Sequence, residues 1–190
     1  TTQMVGKLAN DIVTSLKVGT KQDMMEAPTA NIEAYEYYLK GKQKYEKREN
    51  TDDTEIARGL LNKALELDEN LISAKHLLGD SYLDIGNYDK TREIYIQALT
   101  QAEELNDNLW IGRNLRKVGI IYSQKRDHDT ALDYFGRALA IAKKLGDKSG
   151  MGTTLNNIGI IYKRKGDYDK ALDYYKSALE IRKEIGDIYN

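Results

Sequence analysis

The sequence predicts an all-α fold, an α-α superhelix (a solenoid) of about four helix pairs preceded by one N-terminal helix. Three observations predict this fold. A pattern of apolar, small and aromatic residues recurs every 40 residues in the second half of the chain. Within each copy, the apolar residues follow helical spacing. A single proline in 190 residues leaves room for long, uninterrupted helices.

The repeat is clearest when two segments of the C-terminal half are aligned. Leu115–Tyr122 reads LRKVGIIY, and Leu155–Tyr162 reads LNNIGIIY. Ala131–Ala138 reads ALDYFGRA, and Ala171–Ala178 reads ALDYYKSA. An earlier copy keeps the same small and aromatic positions, at Gly79, Tyr82, Tyr95 and Ala98. Self-similarity of this period indicates a helical repeat array, in which each unit contacts only its neighbours.

Each copy reads as two amphipathic helices. Leu115, Val118 and Tyr122 form the apolar stripe of a first helix. Gly119 lies within that stripe, where the missing Cβ lets the paired helix approach closely. The second helix carries a stripe of small, large and small residues, formed by Ala131, Phe135 and Ala138.

The combined pattern, L-x2-I-G-x2-Y followed by A-x3-Y-x2-A, resembles the tetratricopeptide repeat signature. Leu115 and Leu155 stand where the family usually has a tryptophan, and no proline follows the second helix. The period of 40 residues resembles the lengthened subclass of these repeats. The resemblance implies a module that binds a protein or peptide partner in the concave groove lined by the first helices.

We expect the repeat array to span residues 31–190, with helix pairs at 31–68, 70–105, 107–145 and 147–186. The first pair departs from the others. Sixteen residues separate Gly41 from Ala57, whereas twelve separate Gly119 from Ala131. We therefore expect the turn around residues 48–53 to be four residues longer than its equivalents.

Residues 1–26 form a separate segment, which we predict to be a linker or capping helix. Its apolar stripe contains Met4, Leu8, Ile12 and Leu16. Together with residues 28–41, this segment resembles the junction before the repeat region of bacterial class III nucleotide cyclases and TolB-like regulatory proteins. That resemblance implies a regulatory or oligomerisation domain controlling an attached enzyme. The alternative is that the helix only caps the first repeat.

Composition excludes several classes of protein. With no cysteine, the chain has neither disulfides nor thiolate metal sites, which favours a reducing cytoplasm. No apolar run approaches the length of a membrane span, and the chain opens at Thr1 without an initiator methionine or a signal-peptide pattern. We expect a cytoplasmic fragment of a larger regulatory protein.

Charge is distributed unevenly along the chain. Residues 1–106 carry 13 Lys/Arg and 19 Asp/Glu (net −6), and residues 107–190 carry 16 and 11 (net +5), which sum to the overall −1. This imbalance is too mild to indicate a nucleic-acid partner. RNA recognition by helical repeats requires polar residues at fixed repeat positions, where this chain has Ile120 and Ile160.

No constellation of residues indicates catalysis, a cofactor or a metal ion. His76 stands one helical turn before Asp80, which suits an ion pair or a packing role. His128 occupies a turn or cap position. The aspartates at 127, 129 and 133 recur at 167, 169 and 173 without the glycine and glutamate of a calcium loop. Helix capping explains both sets, so we predict that the chain is not an enzyme.

The predicted binding residues lie on the groove side of the first helices. If Leu115, Val118 and Tyr122 face the core, the helical period places another set of side chains in the groove. These are Arg113, Arg116 and Ile120 in the third pair, Asn156, Ile160 and Lys163 in the fourth, and His76 in the second. This mixture predicts an acidic partner segment with apolar anchors. The alternative is that the charges are simply solvated.

The last predicted pair has no following helix to cover it. We therefore expect an apolar edge that includes Leu172 and Leu179 to be exposed. Two explanations remain open: further repeats followed in a longer protein, or a second copy of the chain covers this edge in a homo-oligomer.

Overall fold

The computed structural model describes residues 29–186, and all regular secondary structure in that range is α-helical. The helices are α1 (Ile32–Glu46), α2 (Thr51–Leu67), α3 (Ile72–Leu83), α4 (Tyr88–Glu104), α5 (Asn108–Gln124), α6 (His128–Leu145), α7 (Lys148–Arg164) and α8 (Tyr168–Glu184). The predicted all-α fold of about four helix pairs is thus confirmed over the described range. The predicted helix within residues 1–26 lies outside it.

The chain divides into two compact units, Thr1–Ile94 and Tyr95–Asn190. The helix α4 begins in the first unit and ends in the second. Because each unit has its own buried core, the two are described separately below.

The core of the first unit is built from leucines and alanines of α1, α2 and α3, together with Ile94 at the start of α4. Removing one such leucine side chain from water stabilises the fold by about 1.5–3 kcal/mol. The alanines are small enough for neighbouring helices to approach closely. The buried members are Ala34, Leu61, Ala64, Leu71, Ala74, Leu78 and Ile94.

A polar cluster joins the C-terminal ends of α1 and α3. The Tyr45 hydroxyl donates a hydrogen bond of 2.5 Å to the Asp84 carboxylate. Arg48 donates to the same carboxylate at 2.8 Å and lies over the Tyr45 ring, 3.9 Å from its centroid. Burial and the neighbouring Asp84 carboxylate raise the pKa of Tyr45 well above its usual value. The tyrosine therefore remains a hydrogen-bond donor throughout the neutral pH range.

The second unit repeats its contacts from one helix pair to the next. Tyr122 stacks on Tyr134 with ring centroids 5.5 Å apart, and Tyr162 stacks on Tyr174 at 5.4 Å. Two buried clusters hold the helices together. One contains Ala131, Phe135, Ile158 and Ile161, and the other contains Leu99, Leu115 and Ala138.

In the second unit, the glycine within each first-helix stripe lies directly under an aromatic ring. A Cβ atom at Gly119 would lie 2.7 Å from the Phe135 ring, and one at Gly159 would lie 2.7 Å from the Tyr175 ring. These distances are shorter than van der Waals contact, and Phe135 is almost fully buried. The predicted role of Gly119 in close helix packing is therefore confirmed.

The first helix pair differs from the prediction at its turn. The α1–α2 turn covers residues 47–50, only one residue more than the turn at residues 125–127. The other extra residues belong to α2, because α2 begins more residues before Ala57 than α6 begins before Ala131. The Asn50 side chain accepts a hydrogen bond from the Asp53 backbone N–H at 2.9 Å, and this cap starts the helix at Thr51. The prediction of a four-residue longer turn was wrong because it did not recognise this cap.

The last described helix presents apolar side chains to solvent. Leu172 and Leu179 of α8 are 51% and 45% exposed. Their equivalents in α6, Leu132 and Leu139, are half-buried against the cluster that contains Ile158 and Ile161. The contrast arises because α7 covers α6, whereas no described helix follows α8.

Two glycine-to-alanine substitutions test the close packing. We expect Gly119→Ala to destabilise the protein by about 1–3 kcal/mol, because the new methyl group would force the Phe135 ring out of place. Gly136→Ala is the matched control, since a Cβ there meets no atom within 4 Å. It should stabilise the helix by up to about 1 kcal/mol. Urea unfolding followed by circular dichroism measures both effects, and equal stability of the two variants would contradict this account.

Candidate functional site

Two first helices, α5 and α7, are neighbours in the second unit. Each begins after an aspartate that caps it. The Asp107 side chain accepts from the Trp110 backbone N–H at 3.1 Å, and the Asp147 side chain accepts from the Gly150 N–H at 2.8 Å. These caps satisfy backbone donors that would otherwise lack a partner. They also fix the helical register of the functional side chains that follow.

The charges of the second unit are segregated by helix. Neither α5 nor α7 contains an aspartate or a glutamate, whereas α6 and α8 contain residues of both signs. The basic excess of the C-terminal half is therefore concentrated on the first helices, at Arg113, Arg116 and Lys117 of α5 and at Lys148, Lys163 and Arg164 of α7.

Arg113 and Arg116 border a shallow depression between α5 and α6. Its apolar lining includes Leu109, Ile141 and Leu145. Leu109 is 41% exposed and Leu145 is 45% exposed, so both present apolar surface to solvent. The Arg113 guanidinium lies over the Trp110 ring, 4.9 Å from its centroid, which restrains the side chain. The depression thus combines apolar surface with two cationic side chains and the Asp147 carboxylate.

The two apolar residues predicted to line the groove, Ile120 and Ile160, are partly buried within the fold. Ile120 is half-buried and packs against the cluster that contains Phe135, Ile158 and Ile161. It therefore helps to hold α5 against α7. Ile160, the equivalent residue in the last pair, is also half-buried.

The apolar neighbours of the two arginines were not recognised in the sequence. Ile141 and Leu145 belong to α6, and the periodicity of α5 carries no information about which α6 residues lie beside it. Leu109 precedes the repeated stripe of α5. A lone exposed leucine gives a weak sequence signal, because many apolar residues lie on protein surfaces.

The polar groove residues of α7 are accessible. Lys163 is exposed, and Asn156 is half-buried with a side chain that forms no hydrogen bond to another described residue. The adjacent Asn157 was not predicted. Its Nδ2 atom is buried and has no hydrogen-bond partner among the described residues. The Asn156 amide is available to hydrogen-bond a peptide backbone.

His76 lies on α3, in the first unit. Its Nε2 atom is 3.8 Å from the Asp80 carboxylate, which agrees with the predicted i,i+4 pair. The His76 side chain is only 14% exposed. Its assignment to a binding groove stays a prediction.

The described residues contain neither a cluster of metal-binding side chains nor a helix that could span a membrane. Between residues 29 and 186, no group of three or more His, Asp or Glu side chains is arranged to hold a metal ion. Over the same range, no helix has the length and apolar character needed to cross a membrane.

Comparisons with solved structures agree on the fold. Aspartyl phosphate phosphatase F from Bacillus subtilis superposes with a TM-score of 0.73 at 20% identity, over 82% of this chain and 41% of that one. BtubC from P. vanneervenii gives 0.71 at 19% identity, over 97% of this chain and 74% of that one. The apo form of RapI gives 0.74 at 18% identity, over 88% and 62%. The chain spans less than half the length of the first of these proteins.

A family comparison covers most of the described helix pairs. No curated protein matches the chain. The family model for the tetratricopeptide repeat matches residues 70–144 and 126–184, which together make up more than half of the 190 residues. The chain belongs to the tetratricopeptide repeat family.

Proposed function

We propose that the chain is a protein-interaction module without catalytic activity, whose second unit binds an acidic, partly apolar segment of a partner protein. The observation that carries the proposal is the pairing of Arg113 and Arg116, on a helix (α5) that contains no carboxylate, with the apolar depression between α5 and α6. Membership of a family of helical repeat proteins supports the general role, because such arrays present extended binding surfaces.

The arginines supply recognition of acidic side chains. A guanidinium group presents its N–H donors in a planar fork, which pairs with a carboxylate through two parallel hydrogen bonds. The carboxylate of Asp147, the cap of α7, lines the same depression as the two arginines. A carboxylate of the bound segment would supply a further partner for the guanidinium groups.

The depression supplies the apolar part of the interaction. An aliphatic side chain of the partner that covers Leu109 and Leu145 would remove their exposed surface from water. Trp110, held by its contact with Arg113, adds a rigid aromatic surface beside it. Asn156 would then hydrogen-bond the backbone of an extended segment through its side-chain amide.

The localisation and wider context of the module stay predictions. We place it in the cytoplasm, within a larger regulatory protein. The alternative role, a regulatory domain that controls an attached enzyme such as a nucleotide cyclase, rests on a resemblance carried largely by residues outside the described range.

Selection from a random peptide library tests the proposed partner chemistry. Peptides selected on the immobilised chain should be enriched in Asp and Glu next to Leu, Ile or aromatic residues. Their affinity should fall as salt concentration rises, because the ionic contacts are exposed. The variant Arg113→Glu/Arg116→Glu should lose at least roughly tenfold in affinity, since attraction becomes repulsion at both positions.

The matched control reverses two exposed lysines on second helices, in the variant Lys144→Glu/Lys176→Glu. It changes the net charge by the same amount, so it should bind the selected peptides within about twofold of the unmodified chain if the site is local. Selected peptides without acidic enrichment would contradict the proposal. An equal loss of affinity in both variants would show that only overall charge matters.

We further propose that the exposed face of α8 pairs with the same face of a second copy. Leu132 and Leu139 show that these repeat positions accept a packed helix, and two equal apolar faces can cover each other about a twofold axis.

Sedimentation equilibrium should therefore show a concentration-dependent dimer. The variant Leu172→Glu/Leu179→Glu should be monomeric, whereas Ile56→Glu, which changes an exposed isoleucine of α2, should still dimerise. A wild-type chain that is monomeric at all concentrations would refute this proposal.

A further inference from the structure

A polar cavity of about 510 Å³ lies where the C-terminal ends of α5 and α7 meet the start of α6. All of its lining residues belong to the second unit, and none of them is acidic. The lining consists of Ser123, Gln124, Arg126, His128 and Arg164. None of these residues lines the depression beside Arg113, so the cavity is separate from that depression.

The turn that borders the cavity departs from the repeat. The equivalent turns are Gly86-Asn87-Tyr88 and Gly166-Asp167-Tyr168, and their glycines have φ values of 70° and 81°. Here the sequence is Arg126-Asp127-His128, and Arg126 adopts a φ of 62°. A side chain with a Cβ atom is strained in this left-handed region, whereas glycine is not. The turn therefore keeps an arginine where glycine would fit without strain, and such outliers concentrate at functional sites.

His128, which lines the cavity, has an unsatisfied polar atom. Its Nδ1 atom is buried and has no hydrogen-bond partner among the described residues. A buried polar atom left without a partner is destabilising, so such atoms usually bind water or a ligand. A tyrosine at this position, as in the other two turns, would not present a ring nitrogen there.

The two arginines differ in how they are held. Arg164 donates through Nη1 to the Ser123 hydroxyl at 2.8 Å and to the Ser123 carbonyl oxygen at 3.0 Å. These bonds fix its guanidinium at the cavity wall and leave its other N–H donors for a ligand. The Arg126 side chain forms no ion pair or hydrogen bond with another described residue. The cavity thus has one fixed guanidinium and one adaptable guanidinium.

The two carboxylates adjacent to His128 in the sequence are already engaged. Asp127 accepts a hydrogen bond from the Thr130 backbone N–H at 3.2 Å as the cap of α6. Asp129 pairs with the Lys165 ammonium at 2.7 Å, which, with a smaller contribution from His128, lowers the pKa of the Asp129 carboxyl. Neither aspartate lines the cavity, so its wall remains cationic.

We propose that this cavity binds a phosphate group. Arg126 and Arg164 would each donate to phosphate oxygens, and the His128 ring, turned so that a protonated Nδ1 reaches the cavity, would donate to a third oxygen. Three separately placed donors suit the tetrahedral oxygens of phosphate better than the two oxygens of a carboxylate. Free phosphate and a phosphorylated side chain share this chemistry. The proposal goes beyond the peptide-binding function and does not depend on it.

Titration of the full chain with inorganic phosphate, followed by NMR, tests the proposal directly. We expect saturable chemical-shift changes at the His128 ring and at the Nε–H groups of Arg126 and Arg164. Potassium chloride at matched ionic strength is the control for screening, and it should produce no saturable change. Acetate should bind at least roughly tenfold more weakly than phosphate, because it lacks the third oxygen.

Two substitutions restore the residues found in the other turns and separate binding from folding. Arg126→Gly should maintain or raise the melting temperature by a few degrees, because glycine relieves the strain at positive φ. The same variant should weaken phosphate binding at least roughly tenfold, through the loss of a charge-assisted contact. His128→Tyr should also weaken binding. Lys176→Gln, which removes a charge from α8, should leave phosphate affinity unchanged.

Two results would overturn the proposal. One is the absence of saturable shifts up to roughly 20 mM phosphate, well above the millimolar dissociation constant expected for such a site. The other is unchanged phosphate affinity in Arg126→Gly. A parallel titration with N-acetyl-phosphoserine amide identifies the source of the phosphate. Binding comparable to that of phosphate supports a site for phosphorylated side chains, whereas binding of inorganic phosphate alone supports a site for the free anion.

Discussion

The close approach of the two helices in each pair is the constraint on which the rest of the structure depends. In the second unit, Phe135 and Tyr175 lie over glycines of the facing helix, with no room for even one methyl group between them. This contact sets the distance between the paired helices. The stacked tyrosines follow at fixed offsets from it, because both helix pairs of the second unit place them at the same positions.

The same constraint leaves other positions open to function. Packing fixes only the stripe of each helix that faces its partner, so the remaining positions can carry charge without weakening the core. In α5 and α7 those positions hold basic residues and no acidic ones. The second helices, in contrast, balance positive and negative charges along their exposed faces. The basic excess of the second half of the chain thus lies on α5 and α7, a location that the overall composition does not reveal.

The fold could be predicted because its periodic signals are local. The apolar stripe around Leu115, the glycine at 119 and the small residues around Phe135 all act within one helix pair, and the structure confirms their roles. The prediction was wrong at the α1–α2 turn, where spacing alone could not show that Asn50 caps a longer helix. The candidate site was predicted less completely, because Leu109, Ile141 and Leu145 meet the two arginines only once α5 and α6 are paired.

The sequence by itself determined the all-α class, the helix pairs, the close-packing glycines and the basic character of α5 and α7. Each of these depends on residue type and spacing, which the chain carries directly. Only the tertiary structure decided that Ile120 packs into a core and that Arg126 shares a cavity with His128 and Arg164. Arg164 lies 38 residues beyond Arg126 in the chain, and neighbours of that kind are set by helix packing rather than by any local pattern.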